Sequence, residues 1–309
     1  FDFKLFFSEV WREKGGFDIV IGNPPYGLLN KKQNQNYSIT VNSMHLDYYK
    51  SALKFEPARG GVINIFRLFI TQSGDILSNN GVFAEIFPLA YTGDVTSKNI
   101  REYNLKNFKL IGIEAFPERD NENKRVFRHA KMSVAILFFT GKGQETNQFY
   151  LRTHSDKFID ESNEKVLLTK NDIIKLDPIY YTIPILNKAD LKVLRKVYSN
   201  QIRISDVTNC YTGEIDLSLD KKYLRESEKY STLLKGAIIG RYEIRSKMSQ
   251  GDIMFLDSEE YLINNSGARA AHYLRDRIGM QGITGINEKI RLKMALIPKG
   301  TFLANSVNY

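Results

Sequence analysis

The chain has 309 residues, of which 42% are hydrophobic and 26% are charged, and these values are typical of a soluble globular protein with room for two domains. The only cysteine, Cys210, excludes an internal disulfide and a cysteine-rich zinc module, and it favours a reducing, cytoplasmic compartment. The chain has four histidines in addition to this cysteine, and from so few such ligands no metal site is expected. No apolar run reaches the roughly 18 residues that span a bilayer, so no membrane partner is expected.

The formal net charge of +9 makes a polyanionic partner plausible. The charge is uneven along the chain. Residues 221–309 contain 15 Lys and Arg against 9 Asp and Glu. Most of the excess positive charge therefore lies in the last third, and a generic basic surface is the alternative to a binding face.

Strands and helices alternate along the first half of the sequence. Hydrophobic spacing predicts strands at 17–22, 82–88, 110–116 and 133–139, and helices at 44–55, 63–77 and 98–105. Residues 28–40 are polar and predict a loop, and residues 78–81 predict a break. The order indicates an α/β sheet, and its last two strands are expected to pair antiparallel because only a loop joins them.

The character of the sequence changes after residue 145. Residues 146–180 are polar and read as a linker region that includes the start of a short helix, and an amphipathic helix is predicted at 190–198. Short strands, turns and many glycines follow. We therefore predict a first domain at 1–145, a linker region at 146–180 and a second, mixed α+β domain at 181–309.

One motif carries chemistry: Asn23-Pro24-Pro25-Tyr26, here called the NPPY motif, directly after the first strand. Two prolines make this turn stiff. The exocyclic amine of adenine is a poor nucleophile, and acceptors for both of its hydrogens let the nitrogen become tetrahedral. The Asn23 side-chain oxygen and the Pro24 carbonyl can supply them. Tyr26 offers a ring face on which a base can stack. The alternative is a proline turn that only ends a strand.

Residues 17–27 resemble motif IV of the gamma-class adenine-N6 DNA methyltransferases, a family that includes the type IIG restriction–modification enzymes. The resemblance continues through 63–88, and residues 125–130 are similar to motif VIII of that family. Residues 279–289 and 303–309 resemble its target-recognition domain. The family's aromatic stacking residue matches Phe127, with Phe116 as a second candidate, and a core role for Phe127 is the alternative.

The resemblance implies a partial Rossmann-like methyltransferase sheet at 1–145, which transfers a methyl group from S-adenosylmethionine to an adenine flipped out of double-stranded DNA. The glycine-rich cofactor loop of the family precedes motif IV, and only 22 residues precede Asn23. We therefore expect an N-terminal part of the same polypeptide to be missing, this chain to be inactive by itself, and its S-adenosylmethionine binding to be weak. Type IIG enzymes carry their endonuclease domain in that N-terminal part.

The basic last third is expected to bind DNA. Arg and Lys contact phosphates without sequence information, whereas Arg, Asn and Gln also read base edges. The candidate DNA-binding residues are Arg241, Lys247, Arg269, Arg275, Arg277, Gln281, Thr284, Asn287, Lys289 and Arg291. Arg269, Arg275 and Arg277 serve equally well as solvated charges on a helix.

Two other function classes stay open. One is an RNA or protein N-methyltransferase, since related motifs act on other planar nitrogens. The other is a sequence-specific DNA-binding module that has no activity by itself. The recognised DNA sequence, cleavage activity and oligomeric state do not follow from the sequence.

Overall fold

The computed structural model describes residues 2–30, 38–40, 43–200, 202–246, 253–284 and 288–309. The chain divides into two compact units, Phe1–Gln201 and Ile202–Tyr309. Helices are numbered in chain order: α1 Phe3–Phe6, α2 Ser8–Lys14, α3 Ser43–Ser51, α4 Ile65–Ile76, α5 Lys98–Asn107, α6 Lys170–Leu176, α7 Lys188–Val197 and α8 Ser258–Asn264. The strands of the first unit are β1 Phe17–Gly22, β2 Leu28–Asn30, β3 Ser38–Thr40, β4 Leu77–Pro88, β5 Lys109–Phe116, β6 Val134–Thr140, β7 Gln148–Thr153 and β8 Val166–Thr169.

Six strands of the first unit form one mixed sheet in the order β1-β4-β6-β5-β7-β8. β1 and β4 are parallel, as are β5 and β7, whereas β6 runs antiparallel to both of its neighbours. The prediction of an α/β fold is therefore confirmed, including the antiparallel pairing of the strands at 110–116 and 133–139. The parallel strands end at one edge of the sheet, and the NPPY motif follows β1 there.

The prediction of a linker region at 146–180 is wrong. β7 and β8 lie inside that range and extend the sheet, and α6 follows β8 directly. A capping box between Thr169 and Asp172 starts α6, and Asp172 also pairs with Arg195 of α7 at 2.7 Å. Residues 181–201 consequently belong to the first unit and not to the second. The polar composition of 146–180 concealed both β7, which has six residues, and β8, which has four.

The core of the first unit lies between the sheet and α4 and α5. Asn64 caps α4, and the helix places Phe66 against Phe87 of β4 with ring centroids 5.8 Å apart. Gly74 lets α4 pack closely on Phe108, the residue before β5, because a Cβ there would lie 2.6 Å from the Phe108 ring. This packing fixes β4 relative to α4, and both elements flank the NPPY motif.

The predicted break at 78–81 is part of β4. Phe17 of β1 pairs with Leu77 and Ile19 pairs with Val82, so β4 carries extra residues at this point. A bulge of this kind accommodates the turn-forming residues without ending the strand. Similarly, β2 and β3 pair in parallel within the segment predicted as a loop, of which residues 31–37 lie outside the described residues.

β1 is an edge strand of the six-stranded sheet. Its neighbour on one side is β4, and the described residues place no strand on the other side. Val20 packs against the core, whereas the side chains of Ile19 and Ile21 are 75% and 82% exposed. This face of β1 is therefore apolar and open to solvent.

The described part of the second unit contains two small sheets. One has the order β14-β10-β11-β9 and the other has the order β13-β12-β15. Their strands are β9 Leu224–Arg225, β10 Ser231–Leu234, β11 Met254–Leu256, β12 Arg277–Gln281, β13 Met294–Ile297, β14 Phe302–Leu303 and β15 Val307–Asn308. Phe302 lies in one apolar cluster and Leu303 in a second one, so β14 contributes to both cores. Within the described residues, none of the helices is long and apolar enough to cross a membrane.

Candidate active site

In space, the NPPY motif lies between the end of β1 and the start of α4. Pro24 is buried, and Asn23 and Pro25 are exposed. The hydroxyl of Tyr26 donates a hydrogen bond to the carbonyl of Ile86 in β4 at 2.8 Å and lies 3.3 Å from the side-chain oxygen of Asn23. The ring of Tyr26 is thus anchored on the sheet, and the Asn23 amide stays at the surface.

The chain after the motif is tied to α4. The N–H of Gly27 lies 3.3 Å from the side-chain oxygen of Asn64, and its carbonyl accepts a hydrogen bond from Ile65 at 2.9 Å. Asn64 also caps α4 through the N–H of Phe66. The same residue therefore starts the helix and fixes the exit of the NPPY motif, so the motif is held at both ends.

Phe127 faces Tyr26. The two ring centroids are 6.2 Å apart with an interplanar angle of 62°, which is an edge-to-face contact. Phe127 is half-buried, and Arg125 bonds to its carbonyl at 3.2 Å. A hydrogen bond from Ser133 to the carbonyl of Pro117 closes the base of this loop. Because the two rings already touch, a base can enter between them only if one ring moves.

Phe116, the second candidate, lies in a different environment. It is 3% exposed and stacks on the imidazole of His154, with centroids 4.8 Å apart. His154 in turn bonds to Glu114, which also holds Arg152 and the hydroxyl of Tyr150. Because Phe116 is buried beside this hydrogen-bonded group, its ring is not accessible to a base from solvent.

The sequence analysis did not single out Glu85, which is 2% exposed and pairs in register with Gly22, the residue before the motif. Ser73 of α4 donates a hydrogen bond to one carboxyl oxygen, and the other oxygen has no partner among the described residues. Burial raises the pKa of Glu85 to about 7. The alternation of Phe83, Glu85 and Phe87 on the inward face of a strand is the signal that could have identified it.

Burial and the nearby Glu85 carboxyl both raise the pKa of the Tyr26 hydroxyl, burial being the larger cause. Tyr26 therefore stays protonated and donates to Ile86. The oxygen of Asn23 is left with acceptor capacity on its exposed side. The arrangement can present a neutral acceptor, and not a base, to a polar group that binds at Asn23.

The candidate DNA-binding residues of the second unit fall into four groups, of which the buried Arg277 forms one by itself. Arg241, Arg269, Arg275, Lys289 and Arg291 are exposed. Gln281 and Thr284 are half-buried, and Lys247 and Asn287 lie outside the described residues. Arg269 donates to the carbonyls of Thr212 and Gly213, so its guanidinium is partly engaged.

Arg277 does not fit the prediction that it contacts DNA. Its side chain is buried, bonds to the carboxylate of Glu214 at 3.0 Å and also donates to the carbonyl of Thr301. The ring of Tyr309 covers the guanidinium at 4.7 Å. These contacts satisfy the charge inside the second unit, and they remove Arg277 from the expected DNA contacts.

Residues 1–121 match the family model of the Eco57I restriction-modification methylases. The chain is 24% identical over 273 residues to a protein of Methanocaldococcus jannaschii described as a type II restriction enzyme and methyltransferase. The match covers 85% of this chain and 21% of that protein, so the chain spans about a fifth of the length of this relative.

Two solved structures are also similar. The type IIG restriction endonuclease BpuSI matches 94% of this chain and 41% of its own at 11% identity, with a TM-score of 0.44. A modification subunit of a type I restriction enzyme from Vibrio vulnificus YJ016 matches 61% and 32% at 20% identity, with a TM-score of 0.34. Both scores are too low to establish a shared arrangement. By sequence, the segment that carries the NPPY motif is similar to the Eco57I restriction-modification methylases.

Proposed function

We propose that this chain forms the adenine-binding side of a DNA adenine-N6 methyltransferase of a IIG-like restriction–modification system. The observation that carries the proposal is the NPPY motif at the carboxyl end of β1, with an exposed Asn23 and the Tyr26 ring 6.2 Å from Phe127. The family match over residues 1–121 supports it. The methyl donor is S-adenosylmethionine, which supplies an electrophilic methyl group.

In this proposal the target adenine leaves the duplex and lies beside the NPPY motif. The Asn23 side-chain oxygen and the Pro24 carbonyl accept the two hydrogens of its exocyclic amine, which frees the nitrogen lone pair from the ring. Tyr26, anchored on Ile86, supplies a fixed ring face, and Pro25 stiffens the turn. Phe127 swings away from Tyr26 and then stacks on the base.

The residues described before β1 form α1 and α2 and contain no strand. They do not provide a strand followed by a glycine-rich loop, so they do not fit the donor. Arg241, Arg275, Lys289 and Arg291 are the exposed cations that contact DNA phosphates, and Gln281 and Thr284 are the candidates for base contacts. Arg269, Lys247 and Asn287 remain predicted DNA contacts.

The test is the identity of the methylated product. The full-length protein is incubated with S-adenosylmethionine carrying a labelled methyl group and with genomic DNA that lacks adenine methylation. Digested nucleosides are then separated and weighed by mass spectrometry. The proposal predicts label in N6-methyladenine. Label in matched RNA or in protein alone, or specific DNA binding without any transfer, would support one of the two alternatives instead.

A further inference from the structure

A tight turn in the second unit presents one aromatic ring to solvent. Ile239 and Ile244 pair across the turn, and the N–H of Gly240 donates to the carbonyl of Glu243 at 2.9 Å. Ile239 is fully buried in the apolar cluster of this unit. Tyr242 lies at the tip with 81% of its side chain exposed. The turn is thus rooted in the core, and its tip holds the ring away from it.

The backbone of Tyr242 is strained. Its φ of 66° is in the left-handed region, which is costly for a residue with a Cβ and favours glycine or asparagine. The N–H of Tyr242 donates to the carbonyl of Met294 at 2.7 Å, and this bond holds the strained conformation. A large aromatic at such a position needs a reason, because smaller residues would fit the turn without strain.

Tyr181 is the informative contrast. It has a φ of 54°, but its ring packs against the core of the first unit and its hydroxyl bonds to Glu102 at 3.2 Å. Packing of the side chain therefore accounts for Tyr181. Among the residues that the structure describes, no such packing accounts for Tyr242, and the ring contact there is the Arg241 guanidinium at 5.3 Å. With 81% of its side chain exposed, the ring of Tyr242 is open to an external partner.

The surroundings of Tyr242 indicate what that partner is. Arg241 lies beside the ring, and the bond to Met294 links the tip to the segment that carries the exposed Lys289 and Arg291. A flat apolar surface flanked by cations fits a polyanion that carries aromatic rings. A base within a paired helix hides its faces, so the accessible target is a base that has lost its stacking neighbour.

We propose that Tyr242 is a stacking wedge that inserts against an unstacked base of bound DNA, while the neighbouring cations hold the phosphates. This inference rests on the proposed function, in that the second unit binds DNA. It adds a specific residue, Tyr242, and the feature of the DNA that this residue recognises. That feature is the distortion of the duplex and not its charge.

The experiment compares two 25-base-pair duplexes that differ by one abasic site, which exposes neighbouring base faces. Binding of the full-length protein is measured by fluorescence anisotropy. Wild type is expected to bind the abasic duplex about tenfold more tightly, the lower range for one stacked base. Tyr242→Ala is expected to lose this preference and to keep its affinity for the paired duplex within about threefold, while Tyr242→Phe keeps the preference.

Tyr242→Gly separates stacking from folding. Because glycine relaxes the left-handed φ, this variant should be at least as stable to heat as wild type and should still lose the preference. A preference that survives in Tyr242→Ala and Tyr242→Gly, or a wild type that binds both duplexes equally, would overturn the wedge and leave the proposed function standing. A wild type that binds neither duplex would overturn both.

Discussion

Arg275 and Arg277 are two residues apart in the second unit, yet they have opposite environments. Arg275 is exposed, whereas Arg277 is buried against Glu214 and under the ring of Tyr309. The first unit shows a similar division between Phe127, half-buried beside the NPPY motif, and Phe116, buried on His154. Residue type is the same within each pair, so burial separates a proposed binding role from a structural one.

The largest expected effect is on the stability of the second unit. Arg277→Ala leaves the Glu214 carboxylate buried without its partner, which should lower the free energy of unfolding by about 3–5 kcal/mol. Arg275→Ala is the matched control and should change it by less than about 0.5 kcal/mol. Urea denaturation measures both. An equally stable Arg277→Ala protein would contradict the structural role.

Phe116 and Phe127 should differ in the same way, the first in its effect on stability and the second in its effect on methyl transfer. Phe116→Ala removes a buried ring and should cost about 3–5 kcal/mol of unfolding free energy. Phe127→Ala should cost clearly less, because its ring is partly exposed, but should reduce methyl transfer. Denaturation and transfer rates are measured on both variants. Normal transfer by a folded Phe127→Ala protein would remove Phe127 from the site.

The pH dependence of the free energy of unfolding tests the burial of Glu85. Because burial raises its pKa to about 7 in the folded protein, against about 4.3 in an unfolded chain, the folded state binds its proton more tightly. Its cost to stability is absent below the unfolded pKa, grows as the pH rises, and is complete above 7. Glu85→Gln should abolish this decline between pH 5 and 8 in urea denaturation. An unchanged decline would assign the pH dependence to other groups.

The smallest effect concerns the exposed cations. Replacing Arg241 and Arg275 with Ala should weaken DNA binding and lower the slope of log K against log salt by about 0.9 for each lost phosphate contact. Affinities measured between low and moderate salt give the slope. Arg269→Ala is a useful comparison, since its guanidinium is partly engaged by backbone carbonyls. An unchanged slope in the double variant would place both residues outside the interface.

The sequence predicted four of the six strands of the first sheet, because these strands are strongly apolar and because a loop alone joins β5 to β6. The NPPY motif and the facing Phe127 followed from local pattern and family resemblance. Burial partners far along the chain did not follow: Glu214 lies 63 residues from Arg277, and Ser73 meets Glu85 only because α4 packs on β4. The short β8 was missed because four residues carry little periodicity.

The most direct test of the account is methyl transfer by Asn23→Ala in the full-length protein. Asn23 is exposed, and the Tyr26 hydroxyl that lies 3.3 Å from its side-chain oxygen is also held by the Ile86 carbonyl, so the variant should fold and bind duplex DNA as wild type does. Its transfer rate to adenine should fall by about 10²–10³, the loss typical of removing one such polar contact to a reacting group. Transfer at the wild-type rate with unchanged DNA affinity would contradict the role of the NPPY motif.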